Sequence, residues 1–267
     1  MDTPTYPYVR VEVAGGIAIV TLDRPDVHNA IDATLIASLA AAFQDIRARD
    51  DLRAVVLRGE GASFCAGADA KWMSASLNWS HEENLVDANR LPVLFDAIND
   101  CPLPVIARVQ GAALGGGVGL VACCDLAIAA EGTRFGFTEV KLGIAPATIS
   151  PYIIAKIGVS QARALFVSGE RFDAARALAI GLVHRVVPAE QLDAALEETL
   201  RQMRANGPQA MRAAKELALR VGNMAHDEAA RFTVEMIANL RVSDEAQEGL
   251  RAFLEKRRPT WAEEAKQ

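Results

Sequence analysis

Residues 107–125, ARVQGAALGGGVGLVACCD, constrain this chain more than any other segment. An apolar run from Pro104 to Val109 leads into five glycines within nine residues: Gly111, Gly115, Gly116, Gly117 and Gly119. Glycine lacks a Cβ, so backbone at these positions can approach a ligand or other backbone closely. A glycine turn that opens a helix of small residues leaves N–H groups unpaired and aimed at negative charge. The loop at 63–69, SFCAGAD, is also built from small residues. Two such loops predict an oxyanion hole rather than a metal or nucleophile site.

Other readings of the glycine stretch fare differently. The uncharged run from Gly111 to Cys124 is 14 residues long, short of the roughly 20 that a membrane span needs. A tightly packed core helix stays open on glycine content alone. Gly117 to Ala122 fits GxGxxA, and Glu139 lies 20 residues past Gly119. In a dinucleotide-binding unit, however, the first glycine follows its strand directly, and here QGAALG intervenes. A GxxxxGK[ST] phosphate loop is absent from the sequence.

The 267 residues are 51% hydrophobic, enough for one sizeable core. The net charge of −6, without a basic stripe carrying interleaved aromatics, argues against nucleic acid as a partner. Arg251, Lys256, Arg257 and Arg258 form a local basic run, read as a solvated face or as a phosphate contact on a neighbouring subunit. Cys65, Cys101, Cys123 and Cys124 form no CxxC pair and read as small buried hydrophobes. MDTPTYPYV has neither a secretion signal nor an Arg-rich leader, so a cytoplasmic protein is expected.

Tyr8–Val13 and Ile17–Leu22 read as strands joined by a Gly15-Gly16 hairpin turn. Asp32–Asp50 reads as a helix with Leu35, Leu39, Phe43 and Ile46 on one face. Ala54–Arg58 is a buried strand, and Asn84–Asn99 a helix striped by Leu91, Leu94, Phe95 and Ile98. Strand 104–109, a helix ending near Cys124 and strand Leu126–Ala129 follow, so strands and helices alternate. Ser160 and Asp173 are candidate helix N-caps, and Leu182–Val187 is a last strand. Gln191–Ala205, Ala210–Val221, Asp227–Leu240 and Asp244–Arg257 then read as consecutive helices. The expectation is an α/β core over 1–195 and a helical region over 196–267.

No GxSxG or HExxH motif occurs, and His28, His81, His184 and His226 show no metal-ligand spacing. His81 falls in SHEEN, read as a loop near the site. Glu139 lies in FGFTEVKLGIAP among Phe135, Phe137, Val140 and Leu142. A carboxylate in apolar surroundings has a raised pKa and can shuttle protons near neutrality. A surface glutamate paired with Lys141 is the alternative.

SFCAGADAKWM, ARVQGAALGGGVGLVACCD and FGFTEVKLGIAPATISPYI, in that order, resemble the enoyl-CoA hydratase/isomerase (crotonase) family. RPDVHNAID, GLVHRVV and FLEKRRPTW extend the resemblance over nearly the whole chain. It implies a spiral of ββα turns with a helical C-terminal region, assembled as trimers or dimers of trimers. It also implies an acyl-CoA thioester as the partner molecule, with coenzyme A part of the substrate and no separate cofactor or metal. The oxyanion donors would be the amides of Ala68 and Gly116. Ala66, Asp69, Lys71 and Trp72 would lie along the CoA and acyl path with Gly119 and Lys141. Phe253 and Lys256 match the family segment that reaches the adenosine end of CoA.

The standard hydratase of that family uses two glutamates. One matches Glu139; the other matches Gly119, which has no side chain to activate water. Three readings follow: a hydratase using Glu139 with a helper, an isomerase using Glu139 alone, or a divergent member. A non-catalytic acyl-CoA-binding protein is a fourth. The segments WMSASLNWSHEENLVDANRL and EVKLGIAPATISPYI resemble the methylglutaconyl-CoA and isohexenylglutaconyl-CoA hydratase branch. Such substrates carry a free carboxylate, for which Lys71, Arg90 and Lys141 are candidate partners. Glu82, Glu83 and Asp87 are the candidate helpers on a loop at 78–90.

Overall fold

The computed structural model describes residues 5–264. The Gly15-Gly16 turn joins β1 (Val9–Ala14) and β2 (Ile17–Leu22) as an antiparallel pair with Ala14 opposite Ile17. α1 (Ala33–Arg47) starts at Asp32, whose side chain accepts from the Leu35 amide, and it buries Leu35, Leu39, Phe43 and Ile46. β3 (Ala54–Gly59), α2 (Ala70–Ala75), α3 (His81–Ala88) and α4 (Arg90–Asn99) come next. They lead to β4 (Val105–Val109), β5 (Ala112–Leu114), α5 (Gly116–Cys123), β6 (Leu126–Ala130) and β7 (Arg134–Gly136). After α6 (Ser150–Ser168), β8 (Arg171–Asp173), α7 (Ala174–Ala179) and β9 (Arg185–Val187), the chain is helical. Its last helices are α8 (Leu192–Arg204), α9 (Pro208–Arg220), α10 (His226–Val242), α11 (Asp244–Leu254) and α12 (Thr260–Glu264).

Six strands form one sheet in the order β1-β2-β3-β4-β6-β9, parallel from β2 onward. Along β3, Val55 and Leu57 face the larger core with α1, α4 and α5, while Ala54 and Val56 face a smaller one. Leu192, Ala195 and Leu200 of α8 cover that second face. A parallel sheet buried on both faces needs this near-continuous apolar strand sequence.

The spiral follows from what each parallel strand does next. β4 is followed by β5 and α5, and β6 by β7, with β5 and β7 paired in parallel in a second, three-stranded sheet. After β3 the matching strand is reduced to one bridge, Cys65 to Ala113. Cys65, Ala113 and Phe135 therefore occupy neighbouring rungs on three successive turns. Gly117 lets these turns stack, because a Cβ there would stand 2.4 Å from the Cys65 carbonyl oxygen.

Several boundaries differ from the sequence reading. The helix expected over 84–99 is two helices separated at Asn89. Pro92 has no amide to donate to the Ala88 carbonyl and disfavours helical backbone just before it. The expected loop at 78–90 is mostly α3, and His81 is its first helical residue. Ser80 and Glu83 close a capping box there, each side chain accepting from the other's backbone amide. Ser160 starts no separate helix. It lies within α6, two residues after a break at Gly158, where φ is 74° and ψ 161°. Asp173 caps α7 by accepting from the Arg176 amide, as expected. Among the described residues, no helix is long and apolar enough to cross a membrane.

Candidate active site

The rung shared by Cys65, Ala113 and Phe135 decides which residues meet. Ala68 is three residues past Cys65, Gly116 three past Ala113, and Glu139 four past Phe135. The three turns thus deliver two backbone amides and one carboxyl to the same end of the small sheet. There they line one cavity of about 260 Å³, with Trp72 and Phe95 among its other walls.

The loop carrying Ala68 is fixed by its own hydrogen bonds. The amides of Phe64, Cys65, Ala66 and Asp69 donate to carbonyls at 2.8–3.0 Å. The Ala68 amide donates to no acceptor among the described residues. On the next turn, Gly115 donates to the Gly136 carbonyl at 2.9 Å, and the Val118 and Gly119 amides turn back onto the Gly115 carbonyl. The Gly116 amide, first in α5, is likewise without an acceptor among the described residues. The residues that carry these two unspent donors, on adjacent turns of the spiral, line one cavity.

Asp69 holds this loop from behind. It is 7% exposed and accepts from the Lys71 and Trp72 amides at the start of α2. Arg24 Nη2 bridges to its Oδ2 at 3.0 Å, while Nη1 reaches Asp32 Oδ2 at 3.2 Å. Burial pushes the Asp69 carboxyl up, but the two amides and the Arg24 guanidinium outweigh it and hold the group below its ordinary value.

Glu139 opens a 3-10 turn, Glu139–Leu142, just beyond β7. Its Oε2 is buried with no hydrogen-bond partner among the described residues, and burial raises its pKa. An unpartnered buried polar group costs about 1–3 kcal/mol, which a bound group able to exchange a proton would offset. Phe95, Ile149, Ile31 and Leu91 make the cavity around it apolar.

The space facing Gly119 is filled. A Cβ on Gly119 would lie 2.5 Å from Ile149 Cγ2 and 3.1 Å from two Phe95 ring atoms. Where the standard hydratase is expected to hold a second glutamate, this chain has an aliphatic and an aromatic wall.

The cavity gathers Ala68, Gly116, Glu139 and Trp72 from the expected site, and leaves the others outside its lining. Ala66 is half-buried, with its amide on the His28 carbonyl at 2.9 Å. Lys71 and Lys141 are exposed. Arg90, at 48% side-chain exposure, meets Asp87 at 3.5 Å rather than lining the cavity itself. Phe253 is 80% exposed near the end of α11, and Lys256 follows in left-handed backbone with φ 56°.

Asn84, Phe95 and Ile149 line the site without having been assigned to it from sequence, and Asp87 joins them as one of the three candidate helpers. Asn84 and Asp87 share one face of α3. The S-x-x-E signature at Ser80–Glu83 was the available signal for that helix. Of the three acids considered as helpers, Glu83 is spent in the capping box, and Asp87 alone lines the cavity.

The family model for enoyl-CoA hydratase/isomerase matches residues 12–264. A crystal structure of an enoyl-CoA hydratase from Shewanella pealeana is 39% identical, covers 95% of this chain and 96% of that one, and superposes with a TM-score of 0.91. AtuE from Pseudomonas aeruginosa is 36% identical over 96% of this chain and 99% of its own, with a TM-score of 0.93. An enoyl-CoA hydratase of Alternaria alternata is 34% identical over 92% of this chain and 80% of its own length.

Proposed function

Because the chain belongs to the enoyl-CoA hydratase/isomerase family, we propose that it hydrates an enoyl-CoA through an enolate held by the Ala68 and Gly116 amides. One observation carries the mechanism: two acceptor-free amides share a cavity with a carboxyl whose Oε2 is buried and unpartnered. As charge develops on the thioester oxygen, preorganised N–H dipoles stabilise it without reorganising. One such donor is worth roughly 3–4 kcal/mol. Glu139, whose pKa burial raises, supplies the proton to the α-carbon. The thioester brings its own coenzyme A, and the scheme uses no further cofactor.

The acyl group proposed is branched and carboxylated, as in 3-methylglutaconyl-CoA. Its support is the sequence likeness over 72–91 and 139–153, together with Arg90, the one candidate cation in contact with a cavity-lining side chain. A preference for 3-methylglutaconyl-CoA over 3-methylcrotonyl-CoA, measured as kcat/KM, supports this choice. Equal or reversed preference contradicts it.

The apolar wall facing Gly119 favours a second reading, a double-bond isomerase with Glu139 as its single acid and base. Product analysis separates the two, since only hydration adds a hydroxyl. For assembly, the exposed Val234, Ile237, Val242, Leu250, Phe253 and Leu254 of α10 and α11 support a trimer or a dimer of trimers. In it, Phe253 and Lys256 would reach CoA held by a neighbour. A cytoplasmic setting fits four free, buried cysteines.

A further inference from the structure

We propose that Asp87 is the second carboxylate of the reaction, taking the proton of the water that adds to the β-carbon. The assignment rests on the enolate mechanism proposed above. Asp87 and Glu139 are the only titratable side chains lining the cavity among the described residues. They arrive from different elements, α3 and the third turn of the spiral.

Asp87 is held in one orientation with one oxygen to spare. Its Oδ1 accepts from Trp72 Nε1 at 3.2 Å and meets Arg90 Nε at 3.5 Å. Its Oδ2 has no protein donor among the described residues, and the side chain is 20% exposed. Asn84, one turn earlier, donates through Nδ2 to the Trp79 and Ser80 carbonyls, which leaves its Oδ1 as another acceptor at the cavity. The wall made by α3 and α4 therefore grades from Asn84 and Asp87 to Leu91 and Phe95. Water is held at the polar end and an acyl chain packs at the apolar end.

Local stability does not account for the negative charge of Asp87, since the Trp72 bond needs only an acceptor oxygen. It sits in the last turn of α3, where a negative charge meets the negative end of the helix dipole. Its contact with Arg90 is long and half-exposed, and such pairs contribute little.

The water oxygen bonds to the β-carbon as one of its O–H bonds breaks, and that proton passes to Asp87 Oδ2. The alkene π electrons form the bond between the α-carbon and the thioester carbon as the carbonyl π electrons move onto the thioester oxygen, giving the enolate at the two amides. The enolate re-forms the carbonyl as the α-carbon takes the proton from Glu139. Asp87 releases its proton to solvent and Glu139 takes one up, so one water is consumed.

The test uses Asp87→Asn and two readouts on the full chain: hydration of crotonyl-CoA and 3-methylglutaconyl-CoA, and exchange of the α-protons of butyryl-CoA in deuterated water, followed by NMR. Exchange needs Glu139 and the amides but adds no water. Asp87→Asn is expected to lower hydration kcat by about 100-fold or more, with KM and α-proton exchange at wild-type values and a thermal midpoint no lower than wild type. Trp72→Phe, which keeps the ring and removes the donor, should lower hydration kcat by less. Hydration at the wild-type rate in Asp87→Asn overturns the assignment. So does equal loss of hydration and exchange in folded protein, which would put Asp87 on the enolate rather than on water. Wild-type protein that neither hydrates nor exchanges overturns the enolate mechanism, and this assignment with it.

Discussion

Gly119 and Ile149 are packed so closely that a single added carbon on the glycine would stand 2.5 Å from Ile149 Cγ2. The missing glutamate of the standard hydratase is therefore not an empty place awaiting a side chain. Gly119→Glu is expected to give a less stable protein rather than a better hydratase. Overpacking costs about 1–3 kcal/mol, and an unpaired carboxylate against Phe95 and Ile149 adds to it. Urea unfolding should show a lower midpoint, and hydration kcat should not exceed wild type.

Glu139→Gln should abolish turnover while leaving acyl-CoA binding intact, as read by kinetics and calorimetric titration. Its stability should carry a pH signature. A carboxyl whose folded pKa is raised imposes no charge penalty below its ordinary value of 4.5. As pH rises past that value the unfolded chain ionises first, so wild-type stability falls until the folded pKa is passed. The thermal midpoint of Glu139→Gln should therefore gain on wild type as pH rises through this window. Hydration by wild type should fall as pH passes the raised value, because the proton needed at the α-carbon is lost.

Gly116 offers a paired test of the amide. Gly116→Pro removes the N–H at a first helical position, where proline is tolerated. Loss of one such donor should lower kcat by about 100- to 1,000-fold in protein with unchanged circular dichroism. Gly116→Ala keeps the amide, and its Cβ would meet only the flexible end of Ile31, at 2.9 Å. It should retain most of the activity that the proline variant loses.

Arg24 supports the other amide from outside the cavity. Arg24→Met leaves Asp69 and Asp32 without their cation at 9% and 21% side-chain exposure. Breaking a buried pair costs about 3–5 kcal/mol. Asp69 is held below its ordinary value of 3.8, so its contribution is present above that value and lost as pH falls through the folded pKa. The gap between wild type and Arg24→Met in urea unfolding should narrow on acidification.

Glu139 and the two small-residue loops were legible because their requirement is local: an acid among apolar neighbours, and small residues where backbone must act; Ala68 and Gly116 were singled out within those loops by the family resemblance. The elements with clear periodicity, such as α1, were legible for the same reason. β5, β7 and β8 were not, since three residues carry no period. Asn84 and Phe95 were hidden, and Asp87 was not separable from Glu82 and Glu83, because membership of the cavity depends on where α3 and α4 dock, which no spacing along the chain encodes. The absence of Lys71 and Lys141 from the cavity lining has the same cause: each is near a site residue in sequence and is exposed in the fold.

The most direct test of the account is mass spectrometry of the thioester after incubation with 3-methylglutaconyl-CoA and crotonyl-CoA in oxygen-18 water. The account predicts a product heavier by one labelled water, formed by wild type and absent with Glu139→Gln. A thioester that exchanges hydrogen or shifts its double bond without gaining labelled oxygen would contradict it.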